Sequence, residues 1–201
     1  MLTILMLSCL SLAADEPKWQ PLFDGKTLDG WKVVEFGGDG DVEVKDGQVI
    51  LGMGESLTGI TWAKEEGLPR SNYEIELEAM RVDGIDFFCG LTFPVIDSHC
   101  SFICGGWAGT VVGLSSIDGM DASENETTKY VTFKKGQWYK IRVRVSDDNI
   151  SCWIDDKQLV DQSTKDRKLT TRNEVNLSQP LGISAWQTKA ALRNIRWRKV
   201  P

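Results

Sequence analysis

Two stretches of this chain alternate with a period of two, and no other feature restricts the fold as much. In "NYEIELEAMRV" (72–82), Tyr73, Ile75, Leu77 and Ala79 fall on one side and Glu74, Glu76 and Glu78 on the other. In "WYKIRVRVS" (138–146), Tyr139, Ile141, Val143 and Val145 oppose Lys140, Arg142 and Arg144. Successive side chains of a strand point to opposite faces, so each stretch reads as a strand with one face buried. The polar face is acidic in one and basic in the other, which suits neighbouring strands joined by ion pairs worth roughly 0.2–1 kcal/mol each. The three glutamates are therefore assigned to a salt ladder rather than to catalysis.

Shorter segments follow the same rule: "IDFFCGLTF", "HCSFICGG", "GTVVGLSS", "ISCWID", "LGISAW" and the terminal "ALRNIRWRKV". "VEVKDGQVILG" (42–52) predicts a hairpin about Asp46-Gly47, because both central residues of the favoured two-residue turn need positive φ. No run of a dozen residues carries a helical period. Many short strands separated by turns predict an all-β fold of two packed antiparallel sheets. Residues 163–178 are polar and charged and read as a long surface loop.

At 201 residues the chain has the length of one domain with a substantial core. Its formal charge of −6 argues against a phosphate-binding surface, which needs clustered Lys and Arg, so nucleic acid is not an expected partner. The opening "MLTILMLSCLSLAA" is apolar, too short to span a bilayer, and ends in small residues. It predicts a signal peptide over 1–14, a domain over 15–201 and a secreted or periplasmic location, with no membrane span. Cys9 would leave with the leader. Cys89, Cys100, Cys104 and Cys152 would remain as core residues, with a Cys89–Cys100 bridge across a hairpin as the alternative. Their spacing does not suit zinc.

Three features carry chemistry. His99 is the only histidine, and strand alternation puts it and Ser101 opposite Cys100, Phe102 and Cys104, on the same side as Asp86. "LSSIDGMDASENETT" (114–128) crowds Ser115, Asp118, Asp121, Glu124 and Asn125 into a loop after an apolar strand. Such an oxygen-rich set could supply an acid and hydroxyl partners, or hold Ca²⁺; the expectation is a site without metal or other cofactor, Ca²⁺ being the alternative. Of eight tryptophans, Trp31, Trp138 and Trp197 fit the core or its edge. Trp153 and Trp186 point away from their apolar strand neighbours, and Trp107 sits in "GGWAG". An indole face left open is a platform for sugar C–H groups.

With the all-β pattern established, "LFDGKTLDGWK" (22–32) resembles the N-terminal signature of the 3-keto-disaccharide hydrolase domain family. "YEIELEAMR", "GQWYKIRVRVSDDNISCWIDDKQLVD" and "LRNIRWRKV" follow in that family's order. The resemblance implies a concanavalin A-like β-sandwich (a jelly roll of two antiparallel sheets), a concave face that carries the site, and cleavage of 3-keto-glycosides by a hydrolase or β-elimination lyase. The opening motif then pins the first strand, with Phe23 and Trp31 structural. Family members often carry a Glu and a Gln where this chain has His99 and Ser101, and a Gln and a His where it has Ser184 and Trp186. That departure keeps open a non-catalytic carbohydrate-binding module. For a small carbohydrate substrate the expected roles are proton transfer by His99, acid assistance by Glu124, and orientation of the imidazole by Asp86. Asn125, Ser101, Trp107 and Trp186 are expected to bind the sugar. The oligomeric state is not legible in the sequence.

Overall fold

The computed structural model describes residues 17–64 and 68–201; the expected leader over 1–14 lies outside them. Among the described residues, strands make up 52% and helix 5%. They form two antiparallel sheets, as the alternation requires.

The first sheet contains β1 (Gln20–Pro21), β3 (Val42–Lys45), β4 (Gln48–Leu51), β6 (Tyr73–Gly84), β11 (Trp138–Val145), β12 (Asn149–Ile154), β13 (Lys157–Ser163) and β15 (Thr188–Lys199). Its order is β13-β12-β11-β6-β15-β4-β3, with β1 on β15. The second contains β2 (Trp31–Val33), β5 (Leu57–Trp62), β7 (Cys89–Val95), β8 (Ser98–Gly105), β9 (Val111–Ser115), β10 (Lys129–Tyr130) and β14 (Gly182–Trp186), in the order β10-β9-β8-β7-β14-β5-β2. The core lies between the sheets. Tyr73, Ile75 and Leu77 of β6 share one fully buried cluster with Leu91 and Phe93 of β7, Phe102 of β8 and Ile183 of β14.

The "LFDGKTLDGW" stretch carries the chain from the edge of one sheet to the edge of the other. Leu22 and Phe23 donate their backbone N–H groups to Ile195 O on β15. Asp24 Oδ1 then accepts from the N–H groups of Lys26 and Thr27, closing the first turn. After the second turn Trp31 is buried, and its indole Nε1 donates back to Leu22 O at 2.7 Å. The two aromatics are thus core, and the motif is a structural crossing.

The β3–β4 hairpin turns on Asp46-Gly47 with both residues at positive φ, 51° and 76°, as expected of that dipeptide. Cys89 faces Cys104 across β7–β8, whereas Cys100 faces Phe93. This register excludes the alternative Cys89–Cys100 bridge. All four cysteines in the described chain are buried free thiols. Burial pushes the Cys100 thiol up to about 12 and those of Cys104 and Cys152 well above the usual range, so they behave as small apolar core residues.

The outer face of the first sheet is the expected ladder. Glu74, 0% exposed, accepts from Arg142 at 3.2 Å, Arg144 at 2.8 Å and Arg198 at 2.7 Å. Arg196 binds Glu76, and Arg193 and Asn194 bind Glu78. The same guanidinium groups stack on indoles: Arg193 on Trp138 at 4.0 Å, Arg142 on Trp153 at 4.2 Å, and Arg196 and Arg198 on Trp19 at 4.8 and 4.6 Å. Trp138 therefore lies on the outer face against Arg193, not in the core or at its edge as expected. Tyr139 and Ile141 point inward, so Trp138 falls in phase with Lys140 and Arg142.

Candidate functional site

On the outer face of the second sheet the side chains are short. Register aligns them in two rungs: Thr61, Gly182, Thr92, Ser101 and Ser115 in one, and Gly59, Ser184, Gly90, Ile103 and Gly113 in the next. A floor this low leaves room above it, and the segment read as a surface loop, 163–178, crosses that space. Thr170 and Ser116 exchange backbone hydrogen bonds, Leu169 pairs with Ile117, and Ser98 Oγ donates to Leu169 O. A 3₁₀ turn over Asn173–Ser178 follows, burying Val175 and Ser178. Gly182 is required beneath it, since a Cβ there would lie 2.5 Å from Ser178 O. The segment is thus a roof. Leu169 and Val175 are the apolar anchors that its polar composition hid.

Between roof and floor is a cleft of about 250 Å³. Ser101, Ile103 and Ser115 form its floor, while Trp107, Trp186, Phe87 and Leu57 form apolar walls. Asp86 lies at one side, and Arg172 and Glu174 come down from the roof.

Trp107 is held by a strained turn. Trp107 and Ala108 have φ of 47° and 63°, followed by Gly109 at 104°, a left-handed run that L side chains adopt only under constraint. Two charged groups supply the constraint. Asp86 Oδ2 accepts from Ala108 N at 3.1 Å, and its Oδ1 accepts from Phe87 N at 2.7 Å. On the core side the Arg81 guanidinium, buried between Phe88 and Phe133, donates to Gly105 O at 3.2 Å and Gly109 O at 3.1 Å. Burial lowers the Arg81 pKa, and nearby Asp86 opposes that shift. Gly105 is needed here because a Cβ would sit 2.4 Å from the guanidinium.

The acidic loop ties into the roof. Arg172 donates to Asp121 at 2.6 Å and to Glu174 at 2.7 Å, with its guanidinium 5.9 Å from the Trp107 ring. Arg167 pairs with Asp118 at 2.9 Å and also with Glu126. Among the described residues, no three His, Cys, Asp or Glu are placed to hold a metal ion together.

The structure therefore brings five of the residues singled out from sequence, Asp86, Ser101, Ser115, Trp107 and Trp186, to one cleft. His99, Glu124 and Asn125 do not line it. His99 lies on the Ser101 face but one pleat repeat away, opposite Pro94. Burial, with the Arg70 cation second, holds its pKa below the usual histidine value. Glu124 is exposed on the loop. Asn125 is buried and consumed by its own loop: its amide donates to Leu114 O, Met120 O and Asp121 O, and its carbonyl accepts from Thr127. Arg172, Glu174 and Val175 were not singled out from sequence. The available signal was the length of 163–178, since long connections without regular structure are often functional.

Residues 18–198 match the model of the 3-keto-alpha-glucoside-1,2-lyase-like domain. The chain belongs to that family. Membership places this lyase-like domain among carbohydrate-related proteins. No curated protein matches it. Among solved structures it is similar to the carbohydrate-binding module CBM66 from Bacillus subtilis, with a TM-score of 0.53, 13% identity, and 85% of this chain and 96% of that one covered. It is also similar to domain 4 of AbnA, an extracellular GH43 arabinanase from Geobacillus stearothermophilus, in complex with arabinotriose: TM-score 0.56, 14% identity, coverage 92% and 94%. The Crh5 transglycosylase in complex with NAG gives a TM-score of 0.59, 11% identity and coverage of 93% and 85%. These likenesses establish the concanavalin A-like sandwich. Among the described residues of the lyase-like domain, no helix is long and apolar enough to cross a membrane.

Proposed function

We propose that the protein is an exported enzyme that cleaves 3-keto-glycosides by elimination across C1 and C2, the sugar lying in the cleft of the second sheet. The observation that supports this reading is one cleft, in a chain of this family, that combines two indole walls, a carboxylate and a hydroxyl-bearing floor. Trp107 and Trp186 take the apolar faces of the sugar.

The C3 carbonyl acidifies the C2 proton, because the electron pair left behind spreads onto the carbonyl oxygen. Glu174 is the group assigned to remove that proton. One of its oxygens is held by Arg172, which fixes its direction, and a carboxylate is a competent base next to a carbonyl when the enolate is stabilised. As the enolate collapses, C1=C2 forms and the C1–O bond breaks. The departing oxygen takes the proton back from the Glu174 carboxyl group, giving a 3-keto-glycal and an alcohol. Addition of water to the glycal completes net hydrolysis. Asp86, with both oxygens engaged by backbone N–H groups, positions Trp107.

The test is incubation with p-nitrophenyl 3-keto-α-glucoside and with the parent α-glucoside. Nitrophenol is expected from the keto sugar alone, and Glu174→Gln should slow its release about 10²–10⁴-fold while the sugar still binds. The second reading is a carbohydrate-binding module, favoured by the engagement of both cleft carboxylates in the free protein. Tight binding of a keto sugar that stays intact would establish it. Export rests on the apolar N-terminus; an intact Met1 on protein recovered from its native cells would count against it.

A further inference from the structure

The elimination places negative charge on the C3 oxygen, and the floor of the cleft presents the hydroxyls of Ser101 and Ser115. We propose that Ser101 and Ser115 form a two-hydroxyl oxyanion site that receives the C3 keto oxygen and holds it as the enolate. This deepens the elimination reading above and rests on it.

Ser115 carries the argument. It is 1% exposed and lines the cleft, and its Oγ has no partner within the protein. A buried hydroxyl without a partner destabilises a fold, so its presence at the floor of a cleft points to a ligand atom as the partner. Ser101 stands directly opposite it on the adjacent strand, and side chains so paired have Cβ atoms roughly 4.5–5.5 Å apart. Two hydroxyls at that spacing can converge on one oxygen that offers two lone pairs.

The third member of the rung orients the second. Thr92 faces Ser101 from the other side, and their hydroxyl oxygens are 2.8 Å apart. Either oxygen can donate in that pair; in the arrangement proposed, Thr92, which does not line the cleft, donates to Ser101. The Ser101 hydrogen is then left for the cleft, and a hydroxyl that already accepts a hydrogen bond is the better donor. The rung Thr92–Ser101–Ser115 thus delivers two O–H groups to one point from rigid, paired strands, as a preorganised oxyanion site requires. Both donors are neutral, so they strengthen most as charge arrives on the oxygen, and their effect falls on kcat.

The experiment follows nitrophenol release from p-nitrophenyl 3-keto-α-glucoside by the full chain and by Ser115→Ala, Ser101→Ala and Thr92→Val, with calorimetric binding of methyl 3-keto-α-glucoside alongside. Ser115→Ala and Ser101→Ala should each lower kcat about 10²-fold with KM within a few-fold. Thr92→Val should show a smaller loss through Ser101. Ser115→Ala should keep or raise the melting temperature, because its hydroxyl has no protein partner to lose. Turnover by the unaltered chain that both serine variants retain overturns the oxyanion pair alone. A loss confined to KM, or matched by unfolding of Ser115→Ala, also overturns it. Failure of the unaltered chain to bind or cleave the keto sugar overturns the elimination reading, and the oxyanion pair with it.

Discussion

The outer faces of the two sheets differ first in side-chain length. From β6, β11 and β15 the chain sends out Glu, Arg and Trp, which reach one another and close the surface: Glu74 is 0% exposed under three arginines. From β7, β8, β9 and β14 it sends out mostly Gly, Ser and Thr, with Ile103 and Trp186 the larger exceptions, and the short side chains leave the surface low. Ser115 and Ser184 keep buried hydroxyls without partners. The first face pairs Glu74, Glu76 and Glu78 with arginines from neighbouring strands. The second leaves donors and space, and a roof from elsewhere in the chain turns that space into a cleft. Within one sandwich, a ladder of paired charges accompanies the structural face, and buried serine hydroxyls without partners accompany the candidate binding face.

Four substitutions probe this contrast. Glu74→Gln should have the largest effect on stability, since Arg142, Arg144 and Arg198 lose a shared buried anion. A loss of about 3 kcal/mol is expected, read by chemical denaturation, with keto-sugar binding to the remaining folded protein unchanged. Altered sugar affinity at equal foldedness would break the separation between the faces. Arg81→Met should cost about 2 kcal/mol, because the Gly105 and Gly109 carbonyls lose their donor. It should also weaken sugar binding through a loosened Trp107, whose fluorescence would shift to the red. A stability loss with unchanged sugar affinity would show that the turn does not depend on this clamp.

Trp186→Ala should weaken keto-sugar binding about 10-fold, in the range expected for loss of an aromatic platform, with a smaller change in kcat and in stability. A larger loss of kcat than of affinity would assign Trp186 to the chemistry instead. The smallest expected effect belongs to Glu78. Burial raises its pKa, but hydrogen bonds from Asn194 and Arg193 outweigh that and hold the carboxyl below its usual 4.5. A lowered folded pKa means that the unfolded chain binds the proton more readily. Its contribution is therefore complete above about pH 4.5 and is lost as pH falls through the folded value. Glu78→Gln should flatten the decline of stability in acid and leave the neutral cleft unaltered; superimposable acid profiles would remove Glu78 from the ladder's energetics.

The sequence by itself determined what depends on near neighbours in the chain. Alternation in 72–82 and 138–146 set the strand faces and the ladder, Asp46-Gly47 set a hairpin, and the opening motif set a crossing whose Phe23 and Trp31 are buried as expected. These are short-range effects, because side-chain direction in a strand depends on residue parity and turn geometry on two or three residues. Asp86, Ser101, Trp107 and Trp186 were legible as candidates for the same reason: each stands out of phase with an apolar neighbour or interrupts a strand. Tertiary structure decided what faces them. Glu174 and Arg172 enter the cleft only because Leu169 and Val175 dock on strands 50 or more residues earlier, and no local pattern encodes that docking. It also separated His99 from the cleft by one pleat, and it engaged the Asn125 side chain with Leu114 of β9 and three residues of its own loop. A residue's parity follows from its strand, whereas the partners it meets follow from which distant segment packs against that strand.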